Sequence, residues 1–320
     1  MSVASASRVL NGSPHPVSAD LRARVLAAAE VVGYVPSVFA QGLARNRSRI
    51  IGVIVQDSTD PYFAEIIRGV EEHANRAGYL TIACNADRRS ELEVAQFQLL
   101  REYKAAGIVF GASGMVQGER EELRALVEEA EADGVTVVSV GRRDFSASRI
   151  GFDNEQASYD LTRDLAQRGS RRIAFVSGLP DAYASQERLD GYLRAMAESG
   201  AGPRVVRGTF ASESGTSAAV RLLADGPLPD AIVAANDQTA VGVMTSLRSS
   251  GIDVPGDVLV AGIGGTNLAR LLDMTSVGIH LRMLGGLVTG RVLEGRPRDH
   301  VTTLIPHSIE HRSSTARRPS

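Results

Sequence analysis

From residue 50 onward the chain repeats one rhythm. A short run of apolar, β-branched residues is followed by a longer stretch with apolar positions at helical spacing, then by a glycine-marked turn. Ile50–Val55 (Ile-Ile-Gly-Val-Ile-Val) is the first such run. A predicted helix, Pro61–Arg76, follows it, with proline at its start and Gly78 just past its end, the usual asymmetry of helix termini. The same alternation predicts strands at 79–84, Gly107–Phe110, 135–140, 172–177, 231–235, 258–263 and 301–305. Helices are predicted at 91–103, 119–132, 155–167, 185–199 and Asp237–Ser249. Strands that read as continuous apolar runs, each separated by a helix, demand parallel sheets covered on both faces. About ten such runs exceed one comfortable sheet, so the fold class is α/β with two doubly wound parallel-sheet subdomains. A ligand then belongs at the carboxyl ends of the strands, in the cleft between the two.

Composition narrows the function classes. The 320 residues are 43% hydrophobic and 22% charged, which excludes a mostly disordered or fibrous chain. No run approaches the ~18 uncharged apolar residues of a membrane span. The opening Met1-Ser-Val-Ala-Ser-Ala-Ser-Arg8 lacks the charged start and apolar centre of a secretory signal. Cys84 is the single cysteine and can make no internal disulfide, in keeping with a reducing cytoplasm. The net charge is −2, yet residues 1–49 hold six arginines against Asp20 and Glu30, a local excess of +4. A basic end on an acidic body is either a solvated arm or a nucleic-acid contact.

Catalytic patterns are nearly absent. There is no phosphate-binding loop and no nucleophile elbow, and Gly262-Ile-Gly264-Gly265 lacks the third glycine of a dinucleotide fingerprint. His307-Ser-Ile-Glu310-His311 spells a zinc-peptidase pattern, but that chemistry needs both histidines on one face of a helix. Pro306 precedes it, the run before it reads as a strand, and no third ligand presents itself. Neither a metal, a cofactor nor an enzymatic activity is expected.

The N-terminal segment is more specific. Ser2-Val-Ala-Ser-Ala-Ser-Arg-Val-Leu-Asn-Gly12 resembles the recognition helix and following turn of the lac/gal repressor family of bacterial transcription regulators. Residues 17–36 resemble that family's third helix. On its own terms Ser18 can cap a helix whose Leu21, Val25, Leu26 and Ala29 recur at helical spacing and which Gly33 stops. The likeness continues through Asp60-Pro-Tyr-Phe-Ala-Glu-Ile66, Ile150-Gly-Phe-Asp-Asn154, Arg188-Leu-Asp-Gly-Tyr192, Asn236-Asp-Gln-Thr-Ala240 and Gly251-Ile-Asp-Val-Pro255, in the family's order.

The resemblance implies a periplasmic-binding-protein-like core behind an incomplete helix-turn-helix head. In those terms 1–36 is the partial head, 37–48 a hinge helix and linker, 49–314 the effector and dimerisation core, and 315–320 a tail. The first lobe is expected over 49–149 with 281–298, and the second over 150–280 with 299–314. The family's first helix and turn have no counterpart ahead of Ser2. Two readings follow: the start is set inside the gene, or the chain has become a ligand sensor of solute-binding type that no longer binds an operator.

The resemblance also implies a cytoplasmic, nucleoid-associated homodimer that binds a palindromic operator and a small, carbohydrate-related effector. Val3, Ala4, Ser5, Ser7, Arg8 and Asn11 would meet DNA. The first two offer only apolar contact, while Arg8 can read a base edge or simply hold a phosphate. Leu43, in Val38-Phe-Ala-Gln-Gly-Leu-Ala44, would wedge into the minor groove or else pack on the core. For the effector the implied residues are Tyr62, Phe63, Arg142, Arg188, Asn236, Asp237 and Gly264. The rings give flat apolar surface, the arginines give charge-assisted donors, and Asp237 can equally well cap the helix it begins. Where the family carries an aspartate that grips sugar hydroxyls, this chain has Gly264-Gly265-Thr266. Losing that carboxylate while keeping arginines shifts the expectation from neutral sugars toward phosphorylated or acidic ligands.

Overall fold

The computed structural model describes residues 3–10, 17–34, 48–115, 121–295 and 299–316. Two helices lead the chain, α1 (Val3–Leu10) and α2 (Ala19–Val31). The Ser18 hydroxyl accepts a hydrogen bond from the Leu21 amide and caps α2. Val9 and Val25 are buried, whereas Leu26, Val31, Val32 and Tyr34 are exposed.

Two six-stranded sheets form the body. The first contains β1 (Ile50–Val55), β2 (Leu80–Asn85), β3 (Gly107–Phe110), β4 (Thr136–Ser139), β5 (Ser148–Gly151) and β11 (Thr302–Leu304). They lie in the order β11-β5-β4-β3-β1-β2, all parallel. The second contains β6 (Ile173–Val176), β7 (Arg204–Val206), β8 (Ala231–Ala234), β9 (Leu259–Gly264), β10 (Thr275–Gly278) and β12 (Ser308–Glu310). Its order is β12-β10-β9-β8-β6-β7, parallel except at β12. The central strands are buried on both faces, as their unbroken apolar sequences require.

Helices α3 (Pro61–Arg76), α4 (Ser90–Glu102), α5 (Glu121–Ala132) and α11 (Leu281–Leu293) cover the first sheet. Helices α6 (Asn154–Gln167), α7 (Tyr183–Ser199), α8 (Ser212–Ala224), α9 (Asp237–Ser249) and the short α10 (Asn267–Leu271) belong to the second. Helix α3 turns Ile66, Val70 and Ala74 inward and packs along α11. The two approach so closely that a Cβ on Gly69 would lie 2.2 Å from the Arg282 carbonyl oxygen.

The chain crosses between lobes three times: after β5, after β10 and between β11 and β12. The expected boundary therefore needs correcting at two points. Strand β5 carries the first lobe to residue 151, and 299–314 does not belong wholly to the second. Strand β11 joins the first sheet at its edge, with Arg149 N donating to Val301 O (2.9 Å) and Ile305 N to Gly151 O (2.7 Å). Only β12 enters the second sheet. The reason is spatial: each three-residue strand takes its state from the sheet edge it pairs with, β5 for β11 and β10 for β12.

Candidate functional site

A cavity opens between the lobes, lined almost entirely by residues that follow strands at their carboxyl ends. The space in which water-sized groups can sit is about 120 Å³, roughly ten times what one water takes. A single ring-sized molecule fits it.

Its apolar surfaces are Tyr62 and Phe63 from the first lobe and Phe210 from the second. The Asp60-Pro61 start of α3 sets the first two. Pro61 occupies the first turn, and the Asp60 carboxylate accepts from the Tyr62 amide (2.9 Å). Tyr62 and Phe63 meet edge to face at 5.2 Å. Burial pushes the Tyr62 hydroxyl up to about 12, so it stays a donor.

Three polar groups converge on these rings. Arg188, 5% exposed, projects from α7 and is held from behind. Its Nε donates to Asn154 Oδ1 (2.8 Å) and its Nη1 to the Ala235 carbonyl. The guanidinium lies 5.6 Å from the Phe152 ring and 5.9 Å from the Phe210 ring, and burial draws its pKa down. Asn236 ends β8. Its Oδ1 caps α9 through the Thr239 amide (2.9 Å), and its Nδ2 donates to the Phe210 carbonyl (2.9 Å) and across the cleft to Asp60 Oδ2 (3.4 Å). Asp60 has no ion-pair partner among the described residues, and burial pushes its carboxyl up to about 6.

Tyr62, Phe63, Arg188 and Asn236 all line this cavity. Three other expectations are corrected. Asp237 neither caps α9, a task Asn236 performs, nor lines the cavity. It is 1% exposed and accepts from the Thr266 amide (2.8 Å), the Thr266 hydroxyl (2.8 Å) and the Ser276 hydroxyl (2.5 Å). Burial raises its pKa against those three bonds. Gly264 sits behind that carboxylate, where a Cβ would lie 3.0 Å from Asp237 Oδ2. The absence of a side chain at Gly264 leaves room for this internal network. Arg142 is exposed and stacks over the ring of Tyr183 at 4.6 Å. The arginine that lines the cavity is its neighbour Arg143, held there by Glu93.

The sequence reading also missed Asp60, Glu93, Arg143 and Phe210. Asp60 carried a local signal, an acidic residue directly before a helix-starting proline. The Glu93–Arg143 pair spans fifty positions and has none. The outer lips of the cleft touch as well. Tyr183 N donates to Gly114 O (3.1 Å), Ala184 N to Ser113 Oγ (3.3 Å), and the Tyr183 hydroxyl to Asp144 Oδ1.

At the head, Val3, Ala4, Ser5, Ser7 and Arg8 lie on α1, with Arg8 exposed. Asn11, Leu43 and residues 37–47 of the predicted hinge and linker lie outside the described residues. The zinc-like pattern runs along β12 and does not converge. His307 Nε2 pairs with Asp160 (2.9 Å), His311 Nε2 with Asp164 (3.6 Å), and Glu310 with Arg312. Among the described residues no helix is long and apolar enough to cross a membrane.

Residues 48–312 match the family described as periplasmic binding proteins and sugar binding domain of the LacI family. Catabolite control protein A of Priestia megaterium is 31% identical over 324 aligned positions, covering 98% of this chain and 96% of that protein. The transcriptional repressor PurR of Vibrio campbellii is 31% identical over 283, covering 88% and 83%. Among solved structures, the lac repressor bound to ONPG in its repressed state superposes with a TM-score of 0.83 at 25% identity, covering 98% and 96%. The complex of the regulator CelR with cellobiose superposes at 0.71 and 27% identity, covering 96% and 94%.

Proposed function

The chain belongs to the LacI family of periplasmic-binding-like regulators, and on that premise we propose that it is a homodimeric transcriptional repressor whose operator affinity is set by a small molecule held between its lobes. The observation that carries the effector half is the convergence of Arg188, Asn236 and Asp60 on the Tyr62, Phe63 and Phe210 rings. Apolar walls with a few convergent polar groups are what small-ligand sites consist of.

The charge balance of the cleft favours a neutral, hydroxyl-bearing ring over the acidic ligand expected from the sequence. Arg88 is paired with Asp57 (3.3 Å) and Arg143 with Glu93 (2.5 Å). Arg188 and Asp60 are the charges left over. Nη2 of Arg188 carries no hydrogen bond among the described residues, and Asp60 Oδ2 has only its long contact with Asn236. Adjacent hydroxyls of one ligand can satisfy both, one accepting from the guanidinium and one donating to the carboxylate. A ligand bridging Asp60 in one lobe and Arg188 in the other biases the lobes toward closure. Coupling of this kind is typically worth ~1–3 kcal/mol, enough to change operator occupancy severalfold or more.

The DNA half rests on α1 and the basic segment around it. Arg8 reads a base or holds a phosphate, Val3 and Ala4 contact apolar base edges, Ser5, Ser7 and Asn11 add polar contacts, and Leu43 wedges the minor groove. The place of work is the cytoplasm, at the nucleoid, and no chemistry is catalysed. The test is selection of duplexes from a randomised library by the purified chain, followed by anisotropy titrations with a panel of neutral monosaccharides and disaccharides. A palindromic consensus whose affinity falls steeply with salt, and shifts with one of the sugars, is expected. Enrichment of no sequence would overturn the operator reading. A panel without effect would overturn the neutral-effector reading.

A further inference from the structure

One charged pair in the cleft wall enters the reading above only as a neutralised charge. Glu93 on α4 and Arg143 after β4 both line the cavity, yet their side chains are 7% and 2% exposed. Nη2 of Arg143 donates to Glu93 Oε1 at 2.5 Å and Nη1 to Oε2 at 3.2 Å, the two-pronged geometry a guanidinium adopts with a carboxylate or a phosphate. Gln56 Nε2 donates to the same Oε1 at 3.0 Å. The guanidinium is held in place by aromatic faces, 4.4 Å from the centre of Phe110 and 5.4 Å from that of Phe145. Those rings belong to the core of the first lobe, so Arg143 cannot retreat without unpacking it. A rigid, desolvated, bidentate donor facing a ligand cavity is a phosphate or carboxylate receptor, and here a carboxylate of the chain itself fills it.

We propose that Glu93 is a specificity-determining residue, a built-in anion that denies the Arg143 subsite to phosphorylated and carboxylate-bearing ligands. The proposal rests on the effector-cleft reading and explains why a cleft with three arginines selects a neutral molecule. An incoming phosphate must displace a carboxylate that already makes three hydrogen bonds, and must then leave that carboxylate buried without a partner. Removing the carboxylate reverses the situation, because Arg143 loses the anion that occupies its two-pronged face.

The test uses the full chain with inorganic phosphate as the probe, and chloride at equal ionic strength as the control. Wild type is expected to show no saturable response in its melting temperature. Glu93→Ala is expected to melt lower in chloride and to regain stability saturably with phosphate, at an affinity about tenfold or more above wild type. The double variant Glu93→Ala/Arg143→Met is expected to lose that response. Glu93→Gln, which keeps an acceptor for Arg143 and Gln56 but not the charge, serves if the alanine variant does not fold, and is expected to gain phosphate binding too. Two results overturn the proposal: a folded Glu93 variant that responds to phosphate no better than wild type, or a wild type that binds phosphate in an Arg143-dependent way. Operator and sugar binding are not read out, so failure of the functional reading and failure of this proposal are separately visible.

Discussion

Asp60 is the cleft carboxylate on which a titration can be isolated, because it is buried, caps α3 and has no ion-pair partner among the described residues. Burial moves its pKa from 3.8 to about 6. Each unit is worth ~1.4 kcal/mol, so ionised Asp60 costs the native state about 3 kcal/mol once both folded and unfolded forms are charged. The sign follows from the direction. A carboxyl whose folded pKa lies above its unfolded value contributes stability that is fully present below 3.8 and is lost as pH rises through about 6. Asparagine has nearly the same shape, is as good a helix cap as aspartate, and carries no charge to desolvate. Asp60→Asn should therefore match wild type at about pH 4 and gain up to ~3 kcal/mol at about pH 7.5, or about 5 °C in melting temperature for a chain of this size. Thermal melts of the two proteins across that range, followed by circular dichroism, measure the difference directly. Titrating groups that do not interact with Asp60 cancel between them. A difference that does not change with pH, or an asparagine variant that is the less stable one at neutral pH, would refute the buried-charge reasoning.

Other substitutions probe the rest of the architecture. Asp237→Ala strands the Thr266 amide and hydroxyl and the Ser276 hydroxyl, so it should cost about 3 kcal/mol or more in a chemical denaturation curve. Loss of ligand affinity with unchanged stability would return Asp237 to the binding site. Tyr183→Phe keeps the ring under Arg142 but removes its bond to Asp144. Amide exchange at Tyr183 and Ala184, whose acceptors lie on the other lobe, should quicken on the order of tenfold. An unchanged rate would mean the lips are held elsewhere. Gly242→Ala places a Cβ 1.9 Å from the Ser212 carbonyl oxygen at the α8–α9 crossing and should destabilise by about 1–3 kcal/mol. Gly290→Ala on α11, with nothing within 4 Å, should instead stabilise by about 0.5–1 kcal/mol. Equal effects in paired melts would contradict the packing described.

Much of the body was legible along the chain because long periodic segments carry their own signal. Pro61–Arg76, Gly107–Phe110 and Asp237–Ser249 fall on the predicted bounds, since buried parallel strands and amphipathic helices must show their environment in sequence. Some of the shortest strands were not legible. Arg204–Val206 and Ser308–Glu310 lie at sheet edges and Ser148–Gly151 lies between β4 and β11; all three are three or four residues long, half-buried or mixed in polarity, and owe their state to the strands they pair with. Helix Leu281–Leu293 is rich in glycine because it crosses α3 at close range, so its propensity argues against it and only packing supports it.

The site divides in the same way. Tyr62, Phe63 and Asn236 were named from the family resemblance, and each follows a strand at the end of the sheet that faces the cavity. The choice between Arg142 and Arg143, the exchange of roles between Asn236 and Asp237, and the Glu93–Arg143 pair were decided only in three dimensions. A hydrogen-bond partner fifty residues away leaves no periodicity to read. Sequence by itself determined which faces had to be buried, and therefore the two-lobed body and the location of its cleft. Tertiary structure decided which charges in that cleft are already neutralised and which remain for a ligand, because charge pairing depends on distances that local sequence does not encode.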